Sequence, residues 1–134
     1  MTPALLRLYG RSMSVVLVVD DEPSILRLVA ALLVQSGCEA ITAADAETAW
    51  MVIDKRKPDA IITDIRLPGM DGVQFARKVR DDERFRNVPL AFISAWESAP
   101  RFSNPPPVAY FRKPFDLDAL LEWTFAVCQP VDRA

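Results

Sequence analysis

The sequence predicts an α/β fold: a three-layer, doubly wound sandwich on a five-stranded parallel sheet, strand order 2-1-3-4-5, with a shortened or irregular fourth helix. Three observations predict it. Short β-branched runs alternate with longer stretches of helical periodicity, the mark of repeated β-α units. The first run, Val15–Val19, is apolar throughout, as expected of a strand covered on both faces. The 134 residues, 51% hydrophobic and 25% charged, suit one globular domain with one sizeable core.

Each element has its own signals. After Val15–Val19, Pro23 suits the first turn of a helix that carries Ile25, Leu28, Val29, Leu32 and Leu33, and Gly37 is a natural stop. Glu39–Ala43 is a weak second strand. Asp45 caps a helix with Ala46, Ala49, Trp50 and Ile53 on one face. Lys55-Arg56-Lys57 complements its C-terminal dipole, and Pro58 ends it. Ala60–Thr63 is the third strand. The turn that follows holds Pro68, Gly69 and Gly72 and opens a helix from Val73 to about Glu83, with Val73, Ala76 and Val79 in phase.

Pro89–Ser94 is the fourth strand. Beyond it Pro100, Pro105, Pro106 and Pro107 forbid a long regular helix, leaving one turn around Trp96–Ala99 and an extended triple proline. Ala109–Arg112 is a short fifth strand. Asp116 caps a last helix with Leu117, Leu120, Leu121, Thr124 and Phe125 on its buried side. Residues 1–13 and 129–134 are expected to be tails around a domain of residues 14–128. Right-handed crossovers and five strands favour the flavodoxin-like order.

Composition excludes several functions. There is no histidine, which removes His-based acid–base catalysis, Ser-His-Asp triads and His-ligated zinc. The two cysteines, Cys38 and Cys128, lack metal-ligand spacing and suit reduced thiols of a cytoplasmic protein. With a net charge of -2 and no basic block, the footprint of a nucleic-acid binder is missing. No apolar stretch approaches the roughly twenty residues of a membrane span.

Chemistry collects at the strand ends. Asp20 and Asp21 end the first apolar run, Asp64 ends the third, and Lys113 follows the last. In an open parallel sheet the C-terminal strand ends meet at one edge, where ligands bind. Crowded carboxylates raise one another's pKa unless a cation joins them, so this set suits a divalent metal and a phosphoryl-type anion. Taken singly, each residue also has a plain reading. Asp20 and Asp21 are favoured helix caps, Asp64 opens a turn, Ser94 ends a strand, Lys113 is a surface lysine and Tyr110 packs in the core.

Taken together and in order, the residues carry a resemblance. Asp20-Asp21, Asp64 with Pro68-Gly69-Met70-Asp71-Gly72 behind it, Ser94-Ala95, Tyr110 and Lys113-Pro114-Phe115 resemble the receiver domain of response regulators, from about Ser14 to Cys128. The resemblance implies that Asp64 accepts a phosphoryl group from a histidine kinase or a histidine phosphotransfer protein. Asp20, Asp21, Asp64 and the backbone carbonyl of Arg66 would hold Mg2+ or Mn2+. Lys113 would pair with a phosphoryl oxygen, in relatives beside a cis proline bond. Ser94 and Tyr110 would form the switch. Arg66 and Trp96 would flank the phosphoryl group and screen it from water, or else face solvent.

The signal would leave by protein docking, for which Trp96, Phe102, Tyr110 and Trp123 supply aromatics, with no nucleic acid and no membrane insertion. That makes the chain a stand-alone phosphoacceptor rather than a multiple-turnover enzyme. A metal-dependent aspartyl-phosphate phosphatase or phosphotransferase is the alternative from another class. Arg66 counts against it, because such hydrolases carry a second acid two residues after the nucleophile. A pseudo-receiver that binds partners without phosphorylation is the third reading.

Overall fold

A computed structural model describes residues 13–95 and 108–128. The elements run β1 (Val15–Val19), α1 (Pro23–Gln35), β2 (Glu39–Ala43), α2 (Ala46–Lys55), β3 (Ala60–Asp64), α3 (Gly72–Asp81), β4 (Leu90–Ser94), β5 (Ala109–Arg112) and α4 (Leu117–Val127). All four strand pairings are parallel, and the sheet order is β2-β1-β3-β4-β5. The predicted fold class and strand order are therefore observed. The expected shortened fourth helix, with Trp96, Phe102 and the prolines from Pro100 to Pro107, lies outside the described residues. So do residues 1–12 and 129–134 of the expected tails.

Strand alternation builds the three layers. Successive residues of β1 face opposite sides of the sheet. Leu17 and Val19 join Ala46, Ala49 and Ile53 of α2 and Phe75, Ala76 and Val79 of α3 in one core cluster. Val16 and Val18 join Val29 and Leu33 of α1 and Leu120 of α4 in the other. The sheet is thus covered on both sides, and β1, β3 and β4 are buried throughout. Gly37 ends α1 with φ at 90°, a left-handed conformation that glycine adopts without a Cβ penalty.

Several boundaries and faces differ from expectation. Helix α3 stops at Asp81 rather than Glu83, because the Asp82 carboxylate captures the Arg84 backbone N–H and guanidinium and turns the chain out. Strand β4 starts at Leu90. Pro89 has no N–H to give and contributes only its carbonyl, which accepts from Ile61 N at 2.9 Å. Strand β3 reaches one residue further, to Asp64. Phe125, expected on the buried side of α4, is exposed, as is Leu28 on α1; Leu120 and Thr124 carry the buried face of α4. Trp50 is partly buried, edge-on to Phe85 with Lys78 Nζ 4.3 Å from its ring centre, and Trp123 packs edge-on to Phe111.

Candidate functional site

In this strand order β1 and β3 are neighbours whose crossovers run to opposite faces, so a crevice opens at their C-terminal ends. Asp20 is held there because its own N–H continues the ladder to Ala43 O at 3.1 Å. Its side chain is fully buried. Oδ1 accepts the Glu22 N–H at 2.9 Å, and Oδ2 pairs with Lys113 Nζ at 2.9 Å. The residue that precedes α1 as its cap is Glu22, which makes no side-chain capping bond. The plain reading of Asp20 and Asp21 as helix caps therefore fails.

Asp64 is the last residue of β3 and is also buried. Its Oδ2 lies 3.0 Å from Lys113 Nζ, and Oδ1 accepts the Arg66 N–H at 3.3 Å. The loop after Asp64 folds tightly back. Gly72 N donates to Ile65 O at 2.8 Å, and a Cβ on Gly72 would lie 2.0 Å from the Asp64 carbonyl oxygen, so only glycine fits. A reciprocal cap then starts α3: Asp71 accepts from Gln74 N while the Gln74 side chain accepts from Asp71 N. Across the loop, Glu47 Oε1 accepts the Met70 N–H at 3.2 Å.

Lys113 comes from the far side. Its backbone N–H donates to Ser94 O at 2.6 Å, and the Lys113-Pro114 bond is cis. Ser94 ends β4, is 1% exposed and stands opposite Arg112 in register. Tyr110 of β5 is half-buried, stands opposite Phe92 and packs on the same core cluster. Arg66 and Ser94 line the same cleft of about 250 Å³ as Asp21, Asp64 and Lys113. Trp96 lies outside the described residues.

The electrostatics ask for more positive charge. Burial pushes the Asp20 carboxyl above its ordinary pKa, and the nearby Asp64 charge acts in the same direction against the Glu22 N–H and Lys113. Burial alone would lower the Lys113 ammonium. Its hydrogen bonds to Asp20, Asp64 and Glu22 outweigh that and hold it above its usual value. One carboxylate oxygen each from Asp20, Asp21 and Asp64 lies within 4.8 Å of the others. An all-oxygen donor set without histidine or thiolate fits a hard divalent cation such as Mg2+ or Mn2+.

The structure thus brings together Asp20, Asp21, Asp64, Lys113, Ser94 and Arg66. It adds one residue that the sequence reading missed. Glu22 Oε1 is 3.1 Å from Lys113 Nζ. Its only signal was its place directly after Asp21, an acid too many for a helix start.

Fold and site together define an α/β domain that gathers acids and one amine around a cleft at the carboxyl edge of a parallel sheet, a donor set suited to a divalent cation. The chain belongs to the response regulator receiver domain family, whose family model matches residues 16–124. It is 38% identical over 108 residues to the response regulator Rre1 of Synechocystis sp., covering 78% of this chain and 47% of Rre1. It is 26% identical over 106 residues to sporulation initiation phosphotransferase F of Bacillus subtilis, covering 78% of this chain and 86% of that protein. The structure of the chemotaxis response regulator CheY4 of Vibrio cholerae superposes with a TM-score of 0.77 at 30% identity, covering 87% of this chain and 99% of that one. The chain spans about half the length of Rre1 and less of several other regulators. Among the described residues, no helix is long and apolar enough to cross a membrane.

Proposed function

We propose that this receiver domain accepts a phosphoryl group on Asp64 from a histidine kinase or a histidine phosphotransfer protein. The observation that carries the reading is the convergence of the Asp20, Asp21 and Asp64 carboxylates within 4.8 Å, with Lys113 Nζ on two of them. In the step, an Asp64 carboxylate oxygen forms a bond to phosphorus as the donor's N–P bond breaks. The bonding electron pair returns to the imidazole nitrogen. Such transfer demands positioning and charge neutralisation more than covalent help.

Asp20, Asp21, Asp64 and the Arg66 carbonyl are the residues that would hold Mg2+ or Mn2+. A bound divalent ion supplies neutralisation of the developing charge on the phosphoryl oxygens. Lys113 meets one phosphoryl oxygen as a point charge. Ser94, at the end of β4 beside Lys113, offers its hydroxyl to another. Tyr110, half-buried one strand over, follows Ser94 from one packing to the other, a population shift biased by the new anion. Arg66 at the rim screens the phosphoryl group from water.

The domain then acts in the cytoplasm as a switch that docks onto a protein target, without a nucleic-acid partner and without multiple turnover. The test is incubation with Mg2+ and acetyl phosphate or beryllofluoride. A saturable, 1:1 modification that Asp64→Asn abolishes is expected. Continuous release of phosphate would favour a phosphatase, and the absence of any response would favour a pseudo-receiver.

A further inference from the structure

Lys113 Nζ is held by three carboxylates at once: Asp20 Oδ2 at 2.9 Å, Asp64 Oδ2 at 3.0 Å and Glu22 Oε1 at 3.1 Å. An ammonium has three N–H donors and no more. All three are therefore engaged, and none is left for a phosphoryl oxygen. Asp20 and Asp64 are buried and fixed by strand ends. Glu22 differs, because its side chain is 56% exposed and makes no capping bond to α1. It also lines the mouth of the cleft. Of the three it alone is free to swing into water without leaving a buried charge unpaired.

We infer that Glu22 is a positioning residue that latches the Lys113 ammonium in the unmodified site and releases it to the incoming phosphoryl group. The inference rests on the reading of Asp64 as phosphoryl acceptor and adds a residue that sets how readily the site is loaded. Two effects follow. A dianionic donor meets an extra negative charge at the entrance, which slows its approach. It must also displace a carboxylate from the amine it needs. Both effects weaken as salt screens the exposed carboxylate.

The test uses the whole chain with Mg2+ and reads two quantities: the rate of labelling by acetyl phosphate and the affinity for beryllofluoride. Removing one charge from a cleft entrance changes association by roughly tenfold or more in strongly focused cases, so about three- to tenfold is expected at this exposed position. Glu22→Gln keeps the shape and should label about three- to tenfold faster at low salt and bind beryllofluoride more tightly, with unchanged thermal melting. The gain should shrink in high salt, which a merely structural role would not produce. Glu22→Asp keeps the charge but falls short of Nζ, so it loses the latch alone and should fall between wild type and Glu22→Gln. If it behaves like wild type, only charge at the mouth matters and the latch is overturned. Equal or slower labelling of Glu22→Gln overturns it as well. Wild type that neither labels nor binds beryllofluoride sinks the phosphoacceptor reading itself, and the latch with it.

Discussion

The two edges of the sheet finish the same strands in opposite ways. At the amino edge, polar groups are paired off. The Val15 N–H donates to Asp59 Oδ2 at 2.7 Å. Ser14 accepts the Glu39 N–H at 2.8 Å and donates its hydroxyl to Cys128 O at 3.0 Å. The Cys38 and Cys128 thiols are buried and neutral, and burial pushes that of Cys128 up to about 12. At the carboxyl edge, Asp20, Asp64 and Glu22 crowd one ammonium, and Asp21 stands beside them. The first arrangement favours the fold. The second leaves like charges under-neutralised until a ligand arrives. The edge proposed to bind is the edge that stabilises less.

The strongest disturbance of this contrast is Gly72→Ala. It forces a Cβ onto the Asp64 carbonyl, so it should lower stability by about 3 kcal/mol, the upper end of overpacking, and weaken Mg2+ binding too. Urea midpoints and a Mg2+ titration read the two effects. Asp59→Ala should separate the edges. It orphans a nearly buried N–H and should cost about 1 to 2 kcal/mol, with Mg2+ affinity untouched.

A pH series sharpens the amino edge. The folded Cys128 thiol titrates at about 12 against an ordinary 9.0. Between those values the folded chain keeps a proton that the unfolded chain has lost. Stability therefore falls as pH rises, by about 1.4 kcal/mol per pH unit for that one group. Cys38, also raised by burial, adds the same sign. Denaturant melts from pH 8 to 11 should show a shallower decline in Cys128→Ala, by about one proton. The mildest case is Asp20→Asn. With no Mg2+ at neutral pH it should raise stability by about 1 kcal/mol, because a fully buried charge is removed from a crowded site. The same variant should bind Mg2+ poorly by isothermal titration.

Much of this molecule is legible in its sequence, and the exceptions share a cause. Val15–Val19, Glu39–Ala43 and Ala109–Arg112 carry their own bounds, because short apolar runs between turn residues leave few alternatives. Asp20, Asp21, Asp64 and Lys113 are legible because a parallel sheet sends strand ends to one edge whatever the side chains. Long-range pairing is not written locally. Nothing around Glu22 in the sequence points to Lys113, and only the fold shows that this lysine, 91 residues away, reaches it. Arg80 of α3 is a charged residue outside the apolar positions Val73, Ala76 and Val79 that the periodicity marks. It is buried nonetheless, with Nη1 donating to Val88 O at 2.7 Å. Phe75, fully buried, sits between the expected Val73 and Ala76, where periodicity alone does not single it out. Phe125 stands one residue past Thr124, off the stripe of Leu120, Thr124 and Cys128 that is buried.

The bond from the Lys113 backbone N–H to the Ser94 carbonyl ties the last two strands together at the point where both meet the cleft. Whatever shifts one strand tip drags the other, which under the proposed function couples the chemistry to the docking surface. Linkage then runs both ways: a protein that grips the altered tip must tighten the hold on its charge by the same factor by which that charge improves the grip. Under the proposed function, a docking target is thereby also a regulator of phosphoryl loading.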